Sequence, residues 1–171
     1  LAALEREELR PRMYAITQAV VDELSSHLPL VQGGELDGDA HLAAAYMGVA
    51  LRLFDPQAEM PPELEALVAA QVEQVLAGGG SAGSVLVSGF QDDYSAYQPT
   101  GHYAGDVDLQ TYYRAMTWFS RVHFSFSNSR SSVGPSRAPL IITLALRQAD
   151  LPQGSAAQQW AQVEEVLNFM V

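Results

Sequence analysis

The sequence contains no cysteine, no lysine and no apolar run long enough to cross a bilayer. Without cysteine there are no disulfides, no thiolate nucleophile, no cysteine-ligated zinc and no iron–sulfur cluster. That absence leaves the redox compartment open. Without lysine the positive charge rests on nine arginines, against twenty aspartates and glutamates, for a formal net charge of −11. Such a balance repels phosphate backbones and anionic lipid surfaces, and no basic cluster counters it, so nucleic acid is not an expected partner. A membrane-spanning helix needs roughly 18 to 20 apolar residues, which no stretch supplies, and the opening LAALEREELRPR has no signal-peptide pattern.

Catalytic signatures are missing too. The four histidines, His27, His41, His102 and His123, show no HExxH or HxH spacing, which argues against a histidine zinc site. SVLVSGF and GGGSAGS place serines beside glycines but form no GxSxG elbow. GGGSAGS follows a helical pattern and opens none, so it does not cradle phosphate.

What is present is a chain of 171 residues, 48% hydrophobic and 17% charged, the size of one globular domain with a real core. Apolar positions Leu1, Leu4, Leu9, Met13, Ile16, Val20, Leu24 and Leu28 recur mostly every three or four residues, which predicts an amphipathic helix that Pro11 kinks or divides. PLVQGGELDGD reads as a loop, and Asp39 as the N-cap of an alanine-rich helix through Phe54. Pro62 opens a third helix with Leu64, Leu67, Val68, Val72, Val75 and Leu76 on one face, ended by GGGSAGS. SVLVSGF reads as a short extended lead into a loop. Asp106 or Asp108 caps DLQTYYRAMTWFSRVHF, and SFSNSRSSVGPSR is a serine-rich exposed loop. APLIITLALRQAD reads as a buried helix; its Ile141, Ile142 and Thr143 also suit a strand, but its length and alanines favour helix. Ser155 caps a last helix with an apolar stripe of Trp160, Val163, Val166, Leu167 and Met170. The expected fold is all-α: an irregular bundle of about six helices with a long ordered loop around residues 84–105.

Residues 92–121 concentrate the aromatic, histidine and acidic side chains. Asp92, Asp93, Tyr94, Tyr97, His102, Tyr103, Asp106 and Asp108 fall in one loop, a mixture able to bind a cation or polarise a substrate, or else to cap helices and complete a buried network. Pro99 and Gly101 turn the chain and hold His102 and Tyr103 in a set direction. Leu109, Tyr112, Tyr113, Met116, Phe119 and Val122 form a helical stripe that reads as core, with Trp118 beside it. Arg114 and Arg121, seven residues apart, share a helical face from which either reaches the loop carboxylates; the expected lock pairs Arg114 with Asp92 or Asp93. A second acidic group, Glu35, Asp37 and Asp39 with His41 following, alternates carboxylates as calcium loops do, although capping and solvation also explain it.

DDYSAYQPTGHY followed by DLQTYYRAMTWFSR resembles a family of secreted or lipid-anchored bacterial and archaeal proteins, a domain of unknown function with a D-[FY]-S-Q-[FY]-K-P-R-G-H-Y-T loop and an L-x-x-Y-F-R-A-M-M-W helix. Asp93, Tyr94, Ser95, Tyr97, Pro99, Gly101, His102 and Tyr103 match the loop; Leu109, Tyr112, Arg114, Ala115, Met116 and Trp118 match the helix. Gln98, Thr100 and Ala104 depart from it where the family carries lysine, arginine and threonine. The resemblance implies a helical, extracytoplasmic domain at the cell surface and brings no activity with it.

The candidate site, for a ligand or a structural network, is Asp92, Asp93, Tyr94, Tyr97, His102, Tyr103, Asp106 and Arg114. Residues 1–171 are expected to form a single helical domain, part of a longer polypeptide that would carry any anchor, because the chain stops uncapped inside VEEVLNFMV. The expected role is non-catalytic: interaction with a protein partner, or a structural part of a surface assembly, with no cofactor. The alternatives are a metal-dependent hydrolase using Asp93, His102 and Asp106, or a calcium-stabilised surface protein.

Overall fold

A computed structural model describes residues 1–124 and 136–169. Among them, six helices of eleven residues or more carry the architecture, and the only sheets are two short antiparallel pairs. The first helix, α1 (Arg10–Val31), is entered through a π turn at Glu5–Leu9 and a short α turn at Ala2–Leu4. Pro11 has no N–H for the preceding turn, and the backbone widens just before it without breaking. The expected division at Pro11 is therefore a change of helix type. Pro29 lies inside the last turn of α1, so the following loop starts later than PLVQGG implies.

Helix α2 (Asp37–Phe54) is the centre of the bundle, packed against α1, α3 (Pro62–Ala77), α4 (Val107–Arg121) and α5 (Ala138–Gln148). Its small residues explain that position. Ala43, Ala44, Ala45 and Ala50 are buried, and a Cβ at Gly48 would press on Met60 and Val68 of the neighbouring segments. Asp39 is not the N-cap as expected: the helix begins at Asp37, and Asp39 Oδ1 accepts from Ser136 Oγ at 2.6 Å and Arg137 N at 3.0 Å. It ties α2 to the start of α5. Helix α3 ends on Gly78 at φ +61°, a left-handed cap where a side chain would run into the Gln98 amide.

GGGSAGS is not only a breaker. Ser81–Gly83 forms β1, paired antiparallel with β2 (Gln91–Asp93) in the register Ser81 to Asp93. Residues 84–90, expected as the extended piece, form the turn between them. Two 3-10 turns, Tyr94–Tyr97 and Gly101–Tyr103, lead to α4, which ends at Arg121, earlier than expected. After α5, the pair β3 (Asp150–Leu151) and β4 (Gly154–Ser155) turns the chain into α6 (Ala156–Phe169). Ser155 and Gln158 form the expected cap reciprocally: Gln158 N donates to Ser155 Oγ and Ser155 N to Gln158 Oε1.

The stripe on α4 is core at Leu109, Tyr112 and Val122, with Met116 and Phe119 packed at its edge. Trp118 is fully buried and donates Nε1–H to Tyr46 O at 3.1 Å. Two expected core positions are not core. Leu76 is exposed, and α5 buries only Ala138 and Ala145. The serine-rich loop lies outside the described residues except for its last two, and Met170 lies outside them as well.

Candidate functional site

Strand alternation puts Asp92 inward while Gln91 and Asp93 stay at the surface. One turn after Trp118, Arg121 reaches it. Arg121 Nε and Nη2 both donate to Asp92 Oδ1, at 2.8 and 2.5 Å, and Asp93 N donates to the same oxygen at 2.7 Å. Tyr97 O–H donates to Oδ2 at 2.8 Å. The Asp92 side chain is 3% exposed and the Arg121 side chain 36%, so a buried carboxylate holds a cation that still faces solvent. Burial and then the Asp92 charge push the Tyr97 hydroxyl far above its ordinary range.

A second buried carboxylate sits on the π turn. Glu5, with a side chain 6% exposed, takes Tyr103 O–H at 2.7 Å and His102 Nε2–H at 2.9 Å. The widened turn aims Glu5 at the loop about a hundred residues away in sequence, which joins the start of the chain to Gly101–Tyr103. The His102 ring lies against Tyr103 at 3.9 Å between centroids, and Tyr103 against Tyr113 at 4.9 Å. Desolvation and then Glu5 raise Tyr103; the same two causes raise Tyr112 to about 12. The half-exposed imidazole is thus oriented by a buried acid.

The remaining candidates serve the backbone. Asp93 caps the first 3-10 turn, accepting from Ser95 N and Oγ, and these bonds hold its carboxyl below the usual range. Asp106 caps α4 through Leu109 N at 3.1 Å and pairs with Arg6 at 3.1 Å. Tyr94 is buried and stacked on Tyr97, with its hydroxyl accepting from Gln71 Nε2 at 3.2 Å. Burial raises it. Arg114 is the correction. It makes no ion pair among the described residues, its Nε is buried without a partner, and burial lowers its guanidinium. Arg121, two turns on along the same face, lies within reach of β2 and takes the lock instead.

Both locks lie within a stretch that a known family shares. A family model described as "Protein of unknown function (DUF3160)" matches residues 1–171. The chain belongs to this family. No curated protein and no solved structure matches it significantly.

In this DUF3160 chain the loop and helix motifs fall into two separate locks, one on Asp92 and one on Glu5, rather than converging on one point. Asp93, His102 and Asp106, the trio of the hydrolase reading, are engaged with Ser95, Glu5 and Leu109 respectively. Among the described residues, no three histidine or acidic side chains group closely enough to hold a metal ion. Glu5 and Gln71 escaped notice in the sequence. Each nevertheless sits on an apolar helical face: Glu5 lies four before Leu9 and eight before Met13, and Gln71 lies three after Val68 and four before Val75. A polar residue at such a position must find a partner, and that is the signal that would have found them.

Proposed function

We propose that this chain is a non-catalytic, extracytoplasmic helical domain of a longer polypeptide, working through an apolar contact with a protein partner at the cell surface. The observation that carries the reading is α5. It has the most apolar sequence of the six helices, APLIITLALRQ, yet Leu140 is 67% exposed and Leu144 59%. Ile142 and Leu146 of the same helix line an apolar groove of about 330 Å³ with Phe119 and Trp160. Exposed leucines on a helix that also borders an apolar groove mark an interaction site in soluble proteins. The formal charge of −11 disfavours a second copy as occupant and favours a neutral or basic protein presenting an apolar helical face.

The engagement of the focal loop supports the non-catalytic part, since its acidic and tyrosine side chains are bonded to Arg6, Glu5, Gln71, Ser95 and Arg121 in structural roles. The location rests on the loop and helix motifs that resemble secreted and lipid-anchored proteins. Crosslinking and native mass measurement on the intact source protein test the whole reading. A partner crosslinked through α5 in an extracytoplasmic fraction supports it; a strictly monomeric, partner-free species overturns it.

A further inference from the structure

A cleft of about 410 Å³ opens between the β1–β2 ribbon and the end of α4 and shares no lining residue with the α5 groove. Its floor includes Phe90, which is buried, and its polar walls are Ser81, Asp93, Ser120, Arg121 and His123. We propose that this cleft binds a small molecule bearing both a carboxylate and an ammonium group, a free amino acid.

The argument begins with Arg121. Asp92 takes Nε and Nη2, which fixes the guanidinium plane, while Nη1 has no partner among the described residues. A guanidinium held in place by a buried acid is pre-organised for an acceptor, because little side-chain freedom is lost when the ligand arrives. His123 adds an acceptor: Nδ1–H donates to Arg121 O, which leaves the Nε2 lone pair for an ammonium group in the cleft. Across from them, Asp93 spends Oδ1 on Ser95 and keeps Oδ2. Its carboxyl is ionised at neutral pH, since the Ser95 bonds and the Arg121 charge lower it.

Charge decides between ligand classes. Asp92 and Asp93 set two negative charges against the one positive charge of Arg121, so carboxylates outnumber guanidinium in the cleft. A bare anion would meet that excess and leave His123 Nε2 unused, and a bare cation would leave Arg121 Nη1 unused. A ligand with both charges satisfies both walls, and the volume suits a molecule of amino-acid size.

The test is a titration of the isotope-labelled chain with the common amino acids, one at a time, and with acetate alone and methylammonium alone, following the amide signals. The expected result is saturable shifts confined to Ser81, residues 90–93 and residues 120–123 for at least one amino acid. Acetate and methylammonium should each bind about tenfold more weakly or worse, as should that amino acid to Asp93→Asn or His123→Ala, since one charge-assisted hydrogen bond is lost in each case. The amide introduced by Asp93→Asn can still accept from Ser95, and both variants leave the Asp92 and Arg121 pair intact, so folding is preserved. No saturable shift in the cleft for any amino acid overturns the proposal. So does acetate binding as tightly as the amino acid, or unchanged affinity in both variants.

Discussion

Gln71 shows how one side chain can hold a loop. It is fully buried, and its amide accepts from Ser84 Oγ at 2.6 Å and Leu86 N at 2.9 Å while donating to Tyr94 O–H and Gln74. Gln71→Leu keeps the volume and leaves the buried Tyr94 hydroxyl and the half-buried Leu86 N–H without those bonds, so we expect a loss of about 1 to 3 kcal/mol in urea unfolding. The Asp92 and Arg121 pair behaves differently, because Arg121 is partly solvated and its attraction is screened there. Removing Asp92 strands Tyr97 and Arg121; removing Arg121 strands a buried carboxylate. A double-mutant cycle with Asp92→Ala and Arg121→Ala is expected to show coupling of about 1 to 3 kcal/mol, and additive losses would mean that the pair does not act as a unit.

At the scale of elements, caps set where helices begin, and Asp106 does so with a charge. The Leu109 N–H, Arg6 and the Asp108 N–H hold its carboxyl below the ordinary range, so its contribution is present above the unfolded-state value and is lost as pH falls through the folded-state value. Asp106→Asn can still cap α4 but cannot titrate. Melting from about pH 5 down to about pH 2 should therefore cost the native chain more than it costs the variant. Equal slopes would show that Arg6 and the cap do not bias this carboxyl. The starts of α3, α4 and α6 were legible because their signals are local: Pro62 at a first turn, Asp106 as a cap, and Ser155 with Gln158. The start of α2 was not. Asp39 has the chemistry of a cap, yet the approach of Ser136 and Arg137 offered it other donors.

For the whole molecule, burial is decided by what packs on what. Helix α2 is surrounded by four helices, whereas α5 lies at the edge and keeps Leu140 and Leu144 in solvent. Leu140→Asp with Leu144→Asp should change unfolding free energy by no more than about 0.5 kcal/mol, as surface substitutions do, while abolishing crosslinking to the partner in the intact protein. A large loss of stability would instead mean that these leucines belong to the core of the folded chain.

The sequence by itself determined the all-α class, the helices and most of their caps, and the polar concentration in residues 92–108, because periodicity, proline, glycine and capping side chains act over a few residues. Tertiary structure alone decided which arginine meets Asp92, that Glu5 would hold His102 and Tyr103, and that an apolar helix would stay half in water. Each of those outcomes joins segments far apart in the chain. Side chains of similar local pattern, such as Arg114 and Arg121, differ only in what the fold brings within reach.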